Sequence, residues 1–441
     1  MNAVTQVAPA PVESTVQRWS LVSRIGFRFC VVYLGLFCFS NQIVQGIFPI
    51  PKIDQPEFDS LRPISSLVIW TGAYILRLKT PLVYAETGSG DRSWDWVVLF
   101  LAFVIALIAT IAWSILDRRR EAYPTLSKWF LLFIRFCLAG QLITYGAVKL
   151  IPLQMPFPFL FTQMEPFASM SPMGVLWTSI GASPAYEIFA GCAELTGGLL
   201  LIFPRTATLG ALVGLADMIQ VFMLNMTYDV PVKILSFHLI LLSLVLLAPE
   251  ARGLANFFFF HRTAEPANRV TLFRTSRANR IALVVQVFLW IWILGNTVYS
   301  DWTSWRQYGA GAPQSALYGV WDITQYTRDG QVRPPLLTDN DRWRRLIFDR
   351  PDFVSFQKMD ASNGFCDASI DTKNSSITLT KGDDKNWKGA FTYTRPSPDQ
   401  LVFDGSMDGH QVQLQLKRID HTKFLFVSRG FHWISERPFN R

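Results

Sequence analysis

Ionisable side chains stand in the middle of apolar segments of this sequence, and these residues are the best placed to do chemistry. Glu194 lies within "FAGCAELTGGLLLIFPR", Asp217 within "GALVGLADMIQVFML" and His238 within "VKILSFHLILL". A charge at the centre of a bilayer costs at least about 2.5–3.5 kcal/mol, so each of these residues needs a partner or a purpose. A buried carboxyl group and a histidine can both exchange protons near neutral pH. The three residues are therefore candidates for proton-coupled chemistry inside a membrane.

Helical spacing adds further polar residues to this set. Residues four or seven apart share one helix face, which aligns Glu187 with Glu194, and Gln141 with Tyr145 and Lys149. Small residues share these faces and allow helices to approach closely in lipid. The sequence thus predicts an intramembrane polar pocket between four helices, made of Gln141, Tyr145, Lys149, Glu187, Glu194, Asp217, Lys233 and His238.

Two interpretations of this pocket stay open. Buried polar groups in membrane bundles often only join helices, at about 0.6 kcal/mol per hydrogen bond, and lysines can extend to the interface. Alternatively, Glu194 pairs with His238 or with a lysine, and Asp217 lies nearby. Lys233 and His238 point to different sides of one helix, so we expect His238 to be the central residue. The number of ionisable groups exceeds what helix association requires, which favours a functional pocket.

The composition indicates a membrane protein. Only 17% of the residues are charged and 50% are hydrophobic, whereas soluble domains carry about 25% charged residues. About 20 apolar residues cross a bilayer as a helix. Seven such spans are predicted, at 25–47, 95–116, 128–151, 184–203, 206–226, 230–248 and 281–299.

The basic residues of the loops indicate the orientation. The loop 117–128 holds four Lys and Arg residues and the loop 249–280 holds six Arg, whereas 152–183 holds neither type. Since cytoplasmic loops are enriched in Lys and Arg, the N-terminus is expected in the cytoplasm and the C-terminus outside. The net charge of +8 is explained by these loops and does not indicate nucleic-acid binding. The apolar segment 61–76 is too short to cross, and 152–183 is expected near the outer interface, where it could cover a cavity between helices.

From about residue 310 the hydrophobic pattern changes to a period of two, which predicts an antiparallel β-barrel or sandwich. The motif "LYGVW" at 317–321 resembles the first strand of lipocalin-like barrels, and Trp321 is expected to plug one barrel end. The charged stretch 339–350 suggests a solvated face or an Arg–Asp lattice, and 428–441 a final strand with a tail that docks on the barrel. The predicted strands are "FVSFQKM", "SITLTK", "AFTYTR", "QLVFDG", "QVQLQLKRI", "KFLFVS" and "FHWISE".

Residues 131–248 resemble the DoxX-like family of four-helix membrane proteins, which includes relatives of DoxD and MauE. The resemblance rests on "RFCLAGQLITYGAVKL" at 135–150 and "AELTGGLLLIFPR" at 193–205. It implies a four-helix core and, from some members, membrane redox chemistry linked to quinones or to disulfide maturation. It transfers no catalytic residue; Lys149 and Glu194 match the family pattern by position.

The sequence shows none of the common cofactor-binding motifs. It contains no flavin, haem, iron–sulfur or nucleotide motif, and its five cysteines show no metal-binding spacing, so no metal site is predicted. No cofactor is evident, and a quinone or another amphiphile is the candidate ligand of the bundle.

Two hypotheses about function follow. The chain is either an enzyme, or a binding or accessory subunit, in quinone-linked membrane redox chemistry, or it is a non-enzymatic membrane-anchored assembly or binding protein that acts through its lipocalin-like β domain. The expected partners are the bilayer and a protein at the β domain, and the expected location is a bacterial cytoplasmic membrane with the β domain in the periplasm. The predicted parts are a cytoplasmic tail (1–24), a leading transmembrane pair with an outer loop (25–126), a DoxX-like four-helix core (127–250), a basic cytoplasmic loop (251–280), a final transmembrane helix (281–300) and an extracytoplasmic β domain (310–441).

Overall fold

The computed structural model describes residues 18–47, 60–263, 272–382, 384 and 386–440. Most of the predicted N-terminal tail and parts of the first outer loop and of the basic loop lie outside the described residues. The chain divides into two compact units. The helical unit comprises Met1–Tyr145 and Ala193–Asn296, and the barrel unit comprises Gly146–Cys192 and Thr297–Arg441.

The helices follow one another over most of the chain before the barrel. Among the described residues, seven segments are long and apolar enough to cross a membrane, which confirms the predicted number: Leu21–Ser40, Ser93–Leu116, Pro124–Leu150, Pro184–Ile202, Ala207–Thr227, Lys233–Phe258 and Ser276–Tyr308. The helices are α1 (Leu21–Ser40), α2 (Gln42–Ile47), α3 (Arg62–Trp70), α4 (Ser93–Leu116), α5 (Pro124–Leu150), α6 (Leu160–Gln163), α7 (Pro172–Gly181), α8 (Pro184–Ile202), α9 (Ala207–Thr227), α10 (Lys233–Leu247), α11 (Ala251–Phe258), α12 (Ser276–Tyr308) and α13 (Leu425–Ser428).

The core of the helical unit includes the first helix. Its buried side chains come from α1, α5, α8, α9, α10 and α12, with Ile43 added by α2. The sequence predicted a core of four helices, α5 and α8 to α10. The structure adds α1 because Phe37 and Cys38 are buried against those helices, and adds α12 through Trp290.

The β domain is a closed antiparallel barrel. The sheet order is β2-β1-β3-β4-β5-β6-β7-β8-β9, and β1 also pairs with β9, which closes the ring. The two-residue strand β2 only flanks β1, so eight strands form the barrel. The strands are β1 (Gly319–Arg328), β2 (Gln331–Val332), β3 (Trp343–Phe348), β4 (Phe353–Lys358), β5 (Asn363–Asp371), β6 (Ser376–Thr380), β7 (Lys388–Ser397), β8 (Gln400–Met407) and β9 (His410–Ile419).

Side chains fill the interior of the barrel. Trp343 stacks on Phe356 with ring centroids 4.4 Å apart, and Phe348 and Phe403 meet edge to face. Trp321 is fully buried, as expected for a residue that plugs a barrel end, and its Nε1 donates to the Leu317 carbonyl oxygen at 2.9 Å. A barrel of eight strands can be filled in this way or can hold a small ligand. This barrel is of the filled kind.

Five of the predicted strands are confirmed and two are wrong. The segments from "FVSFQKM" to "QVQLQLKRI" form β4 and β6 to β9. The segment "KFLFVS" instead forms the short helix α13, and "FHWISE" forms no strand. The ring already closes between β9 and β1, so no free edge remains for another strand. The charged stretch 339–350 contains β3, whose Trp343, Leu346 and Phe348 point inward. It also contains Asp339, which forms an ion pair with Arg333.

The segment after α5 belongs to the barrel unit, although the sequence placed it in the helical core. Asp349, which is 5% exposed, follows β3 and accepts hydrogen bonds from the backbone N–H groups of Leu160 (2.9 Å) and Phe161 (3.2 Å). Leu160 also packs against Val320 and Ile347 of the barrel. A buried carboxylate and an apolar contact therefore attach this segment to the barrel.

This attachment is expected to depend on pH. Burial raises the pKa of Asp349, although the two backbone N–H bonds oppose the shift. A carboxyl group whose pKa is higher in the folded than in the unfolded state stabilises the fold when it is protonated. This stabilisation is complete at a pH below the unfolded pKa of about 4 and is lost as the pH rises through the folded pKa. Wild type should therefore gain stability relative to Asp349→Asn as pH falls, measured by hydrogen exchange of barrel amides.

Asp360 supplies a control of opposite sign, because the Ser362 hydroxyl donates to its carboxylate and lowers its pKa. Relative to Asp360→Asn, wild type should lose stability as pH falls. The raised pKa of Asp349 is contradicted if wild type loses stability relative to Asp349→Asn as pH falls, as it should relative to Asp360→Asn.

Candidate functional site

Glycines bring the faces of α5 and α8 into close contact. A Cβ on Gly198 would lie 2.8 Å from Ile143 Cγ1 and 3.2 Å from the Ala139 carbonyl oxygen. Such close approach is how small residues stabilise helix pairs in lipid. Because Glu194 lies one turn before Gly198 on the same face, its side chain is held at this contact, where it is 1% exposed.

Four polar side chains form what we call the Glu194 cluster: Gln42, Gln141, Tyr145 and Glu194. Gln42 Nε2 donates to the Tyr145 hydroxyl at 2.8 Å, and the Glu194 carboxyl group interacts electrostatically with Tyr145. Gln141, one turn before Tyr145, is 2% exposed. Among the described residues, its Oε1 has no hydrogen-bond partner. The cluster thus combines an amide donor, a hydroxyl, a carboxyl group and a buried acceptor in apolar surroundings.

Asp217 is placed on the same bundle by α9. The helix contacts its neighbours through Gly214, where an added Cβ would lie 2.9 Å from Leu142 Cδ1 and 3.8 Å from Ser243 Oγ. Asp217 lies three residues further along and is half-buried. Asp217 therefore lies on the face of α9 that makes this helix contact, the face on which its spacing from Gly214 puts it.

His238 has partners other than Glu194. Its Nδ1 lies 2.7 Å from the Ile234 carbonyl oxygen and its Nε2 lies 2.9 Å from the Tyr33 hydroxyl, while Phe37 stacks on the ring at 3.7 Å. A carbonyl only accepts, so in the neutral ring Nδ1 donates and Nε2 accepts from Tyr33. The predicted pairing of His238 with Glu194 is thus replaced by a contact with α1, a helix that the sequence did not place in the core.

Lys233 belongs to a network at the start of α10. Its Nζ lies 2.9 Å from Asp229 Oδ1 and 3.6 Å from Asp91 Oδ2. Asp91 also accepts from the backbone N–H groups of Lys233 (2.8 Å) and Ile234 (2.9 Å), so a distant loop caps the helix. Lys233 therefore stabilises a helix end and is not part of the Glu194 cluster. Asp91 was not among the predicted site residues, and the sequence marks it only as an acidic residue within "GSGDRS".

Lys149 and Glu187 interact with each other in the barrel unit. Glu187 is fully buried, its Oε1 accepts from the Met155 backbone N–H at 2.8 Å, and Lys149 interacts with it electrostatically. Gly191 allows this approach, because its added Cβ would lie 2.7 Å from the Gly146 carbonyl oxygen. This pair fixes the turn that follows α5.

Comparisons with known proteins assign no family to this chain. No family model matches it, and no solved structure matches it. It is similar to the uncharacterized protein YwoB of Bacillus subtilis (strain 168), at 29% identity over 140 residues. The similarity covers 32% of this chain and 86% of YwoB.

Proposed function

We propose that this membrane protein binds a lipid-soluble molecule with a polar, redox-active head, of the quinone class, at the Glu194 cluster. The observation that carries this proposal is a carboxyl group, 1% exposed, that lies between transmembrane helices and interacts electrostatically with Tyr145. Keeping an ionisable group in such surroundings is costly and is typical of functional sites. The resemblance of 135–150 and 193–205 to the DoxX-like family supports the same class of ligand.

The residues of the cluster fit a quinone head chemically. A quinone carbonyl accepts hydrogen bonds, which the Tyr145 hydroxyl and a protonated Glu194 can donate. A quinol hydroxyl donates, and Gln141 Oε1 is a buried acceptor with no other hydrogen bond among the described residues. Glu194 can also hold or release a proton at its carboxyl group while the bound head changes its redox state. The cluster would therefore bind and orient the head, and electrons would come from a partner.

The proposal includes an orientation. The Lys- and Arg-rich loops 117–128 and 249–280 support an N-terminus in the cytoplasm. With seven crossings, the barrel then lies on the opposite side of a bacterial cytoplasmic membrane, in the periplasm.

A Glu194→Gln variant tests the binding site. The change keeps the shape of the side chain but replaces the carboxyl group by an amide, which is a weaker donor and exchanges no proton, so the affinity for a short-chain quinone should fall about tenfold, a loss of about 1.4 kcal/mol. The measurement is a quinone titration of the full chain in nanodiscs. Glu86→Gln, an exposed loop change, is the matched control and should bind like wild type. Equal affinity in wild type and Glu194→Gln, or no binding by wild type, would contradict the proposal.

A second candidate function is protein assembly through the barrel. The apolar side chains packed inside the barrel favour it, because they leave the outer surface for contacts with a partner. Lysine cross-linking of the full chain in native membranes tests this function. A reproducible partner linked to Lys388 or Lys417 would support it, and cross-links only within the chain would count against it.

A further inference from the structure

The segment that follows the barrel, residues 424–440, exposes large apolar side chains. Trp433 is 92% exposed, Ile434 79% and Phe431 77%. The segment contains α13 and otherwise no regular structure. Apolar side chains exposed together usually mark a surface that contacts something else.

Strand register places the start of this segment at one end of the barrel. Strand β9 ends at Ile419, which pairs with Val320, and Val320 in turn pairs with Ile347 near the end of β3. The turn after β3 carries Asp349 and Arg350 at this same end. The segment therefore leaves the barrel where the β3–β4 turn lies.

The last turn of α12 and the segment that follows α5 both contact this end of the barrel. Arg350 donates to the backbone carbonyls of Gln307 and Tyr308 in the last turn of α12. Phe426 contacts Phe157, which lies seven residues beyond the end of α5 at Leu150, with ring centroids 5.8 Å apart. Both α5 and α12 are long and apolar enough to cross a membrane.

Aromatic residues mark the end of α12 as a membrane interface. Trp302 and Trp305 stack there at 5.1 Å, and Tyr299 and Tyr308 are exposed. Trp and Tyr concentrate at the level of the lipid headgroups. Because the barrel contacts Tyr308, the segment 424–440 starts close to that level.

The composition of the segment fits a lipid surface. Its basic residues Arg429 and Arg437 are interleaved with the aromatic ones, and Glu436 is its one acidic residue within 424–440. Basic residues beside Trp and Phe are typical of segments that lie in the membrane interface and contact anionic headgroups.

From this geometry we propose that residues 424–440 dock on the bilayer surface next to the barrel. Phe431, Trp433 and Ile434 enter the boundary between headgroups and acyl chains, and Arg429 and Arg437 contact anionic headgroups. The segment then fixes the barrel to the membrane at a point separate from α12.

Nitroxide accessibility tests the depth of the segment. The full chain, with Cys30 and Cys192 replaced by serine, carries a nitroxide at Trp433→Cys in nanodiscs of phosphatidylcholine and phosphatidylglycerol. Oxygen concentrates in lipid and a nickel chelate stays in water, so the ratio of oxygen to nickel collisions should be several-fold higher than at the control position Gln411→Cys. Gln411 is exposed on β9 at the opposite end of the barrel.

Each outcome decides the proposal. A ratio at position 433 equal to that at Gln411 means that the segment lies in water and overturns it. Low collision rates with both reagents mean that protein, either a partner or a second copy, covers the segment, and this also overturns it. The ratio of oxygen to nickel collisions at position 433 should fall in nanodiscs of phosphatidylcholine alone. It should also fall in the mixed-lipid nanodiscs when Arg429→Gln and Arg437→Gln are combined. An unchanged ratio in both would overturn the contact with anionic headgroups.

Discussion

Replacing Trp321 with alanine is expected to lower the free energy of unfolding of the barrel by about 3–5 kcal/mol, the usual cost of removing a buried Trp. The side chain is fully buried, and the Arg395 guanidinium lies 5.8 Å from its ring centroid. The variant would lose the hydrogen bond from Nε1 to Leu317 and leave a cavity. Its strand, β1, also closes the ring by pairing with both β3 and β9, so the loss should spread through the barrel.

Hydrogen exchange of the full chain in nanodiscs measures this effect. Amides of β1, β3 and β9 should exchange at least a hundredfold faster in Trp321→Ala than in wild type, because about 1.4 kcal/mol corresponds to a factor of ten. Leu337→Ala is the control, since it removes a large apolar side chain at a 73% exposed position of the barrel unit and should leave barrel exchange unchanged. Unchanged barrel exchange in Trp321→Ala would show that Trp321 does not hold the ring together.

Gly210→Ala is expected to destabilise the helical unit by about 1–3 kcal/mol. The added Cβ would lie 2.8 Å from the Leu201 backbone nitrogen and 2.9 Å from the Gly197 carbonyl oxygen. Both are backbone atoms, so α8 and α9 must move apart to accept one methyl group. That movement would also loosen the contact between α5 and α8 that buries Glu194.

Gly35→Ala is the matched control, because no heavy atom lies within 4 Å of its added Cβ. In a helix interior this change should be neutral or stabilise by up to about 1 kcal/mol. The midpoint of thermal unfolding can be followed with a thiol-reactive dye, since Cys38 and Cys137 are fully buried in the helical unit. Equal midpoints for the two variants would contradict the close packing of α8 on α9.

The transmembrane helices were predictable because crossing a bilayer is a matter of apolar length. The predicted spans 95–116 and 184–203 differ from Ser93–Leu116 and Pro184–Ile202 by one or two residues. The barrel was predictable from its period of two. Strand β3 was missed because Arg344 and Arg345 interrupt the apolar pattern that Trp343 and Phe348 belong to.

The candidate site was predictable within each helix but not between helices. Spacing placed Gln141 with Tyr145, and Glu187 with Glu194, on single faces, and all four are buried or half-buried. Periodicity does not say which helix a face meets, however. The contacts of Tyr33 with His238 and of Gln42 with Tyr145 join residues about 100 to 200 positions apart, and only the folded chain shows them.

The central claim is that the Glu194 cluster holds a lipid-soluble molecule, and native mass spectrometry of protein extracted from its membrane tests it most directly. Wild type and Glu86→Gln should carry an adduct with the mass of a prenylated quinone, and Glu194→Gln should carry markedly less of it. If wild type carries only phospholipid, or if Glu194→Gln keeps the same adduct, the cluster is not a quinone site.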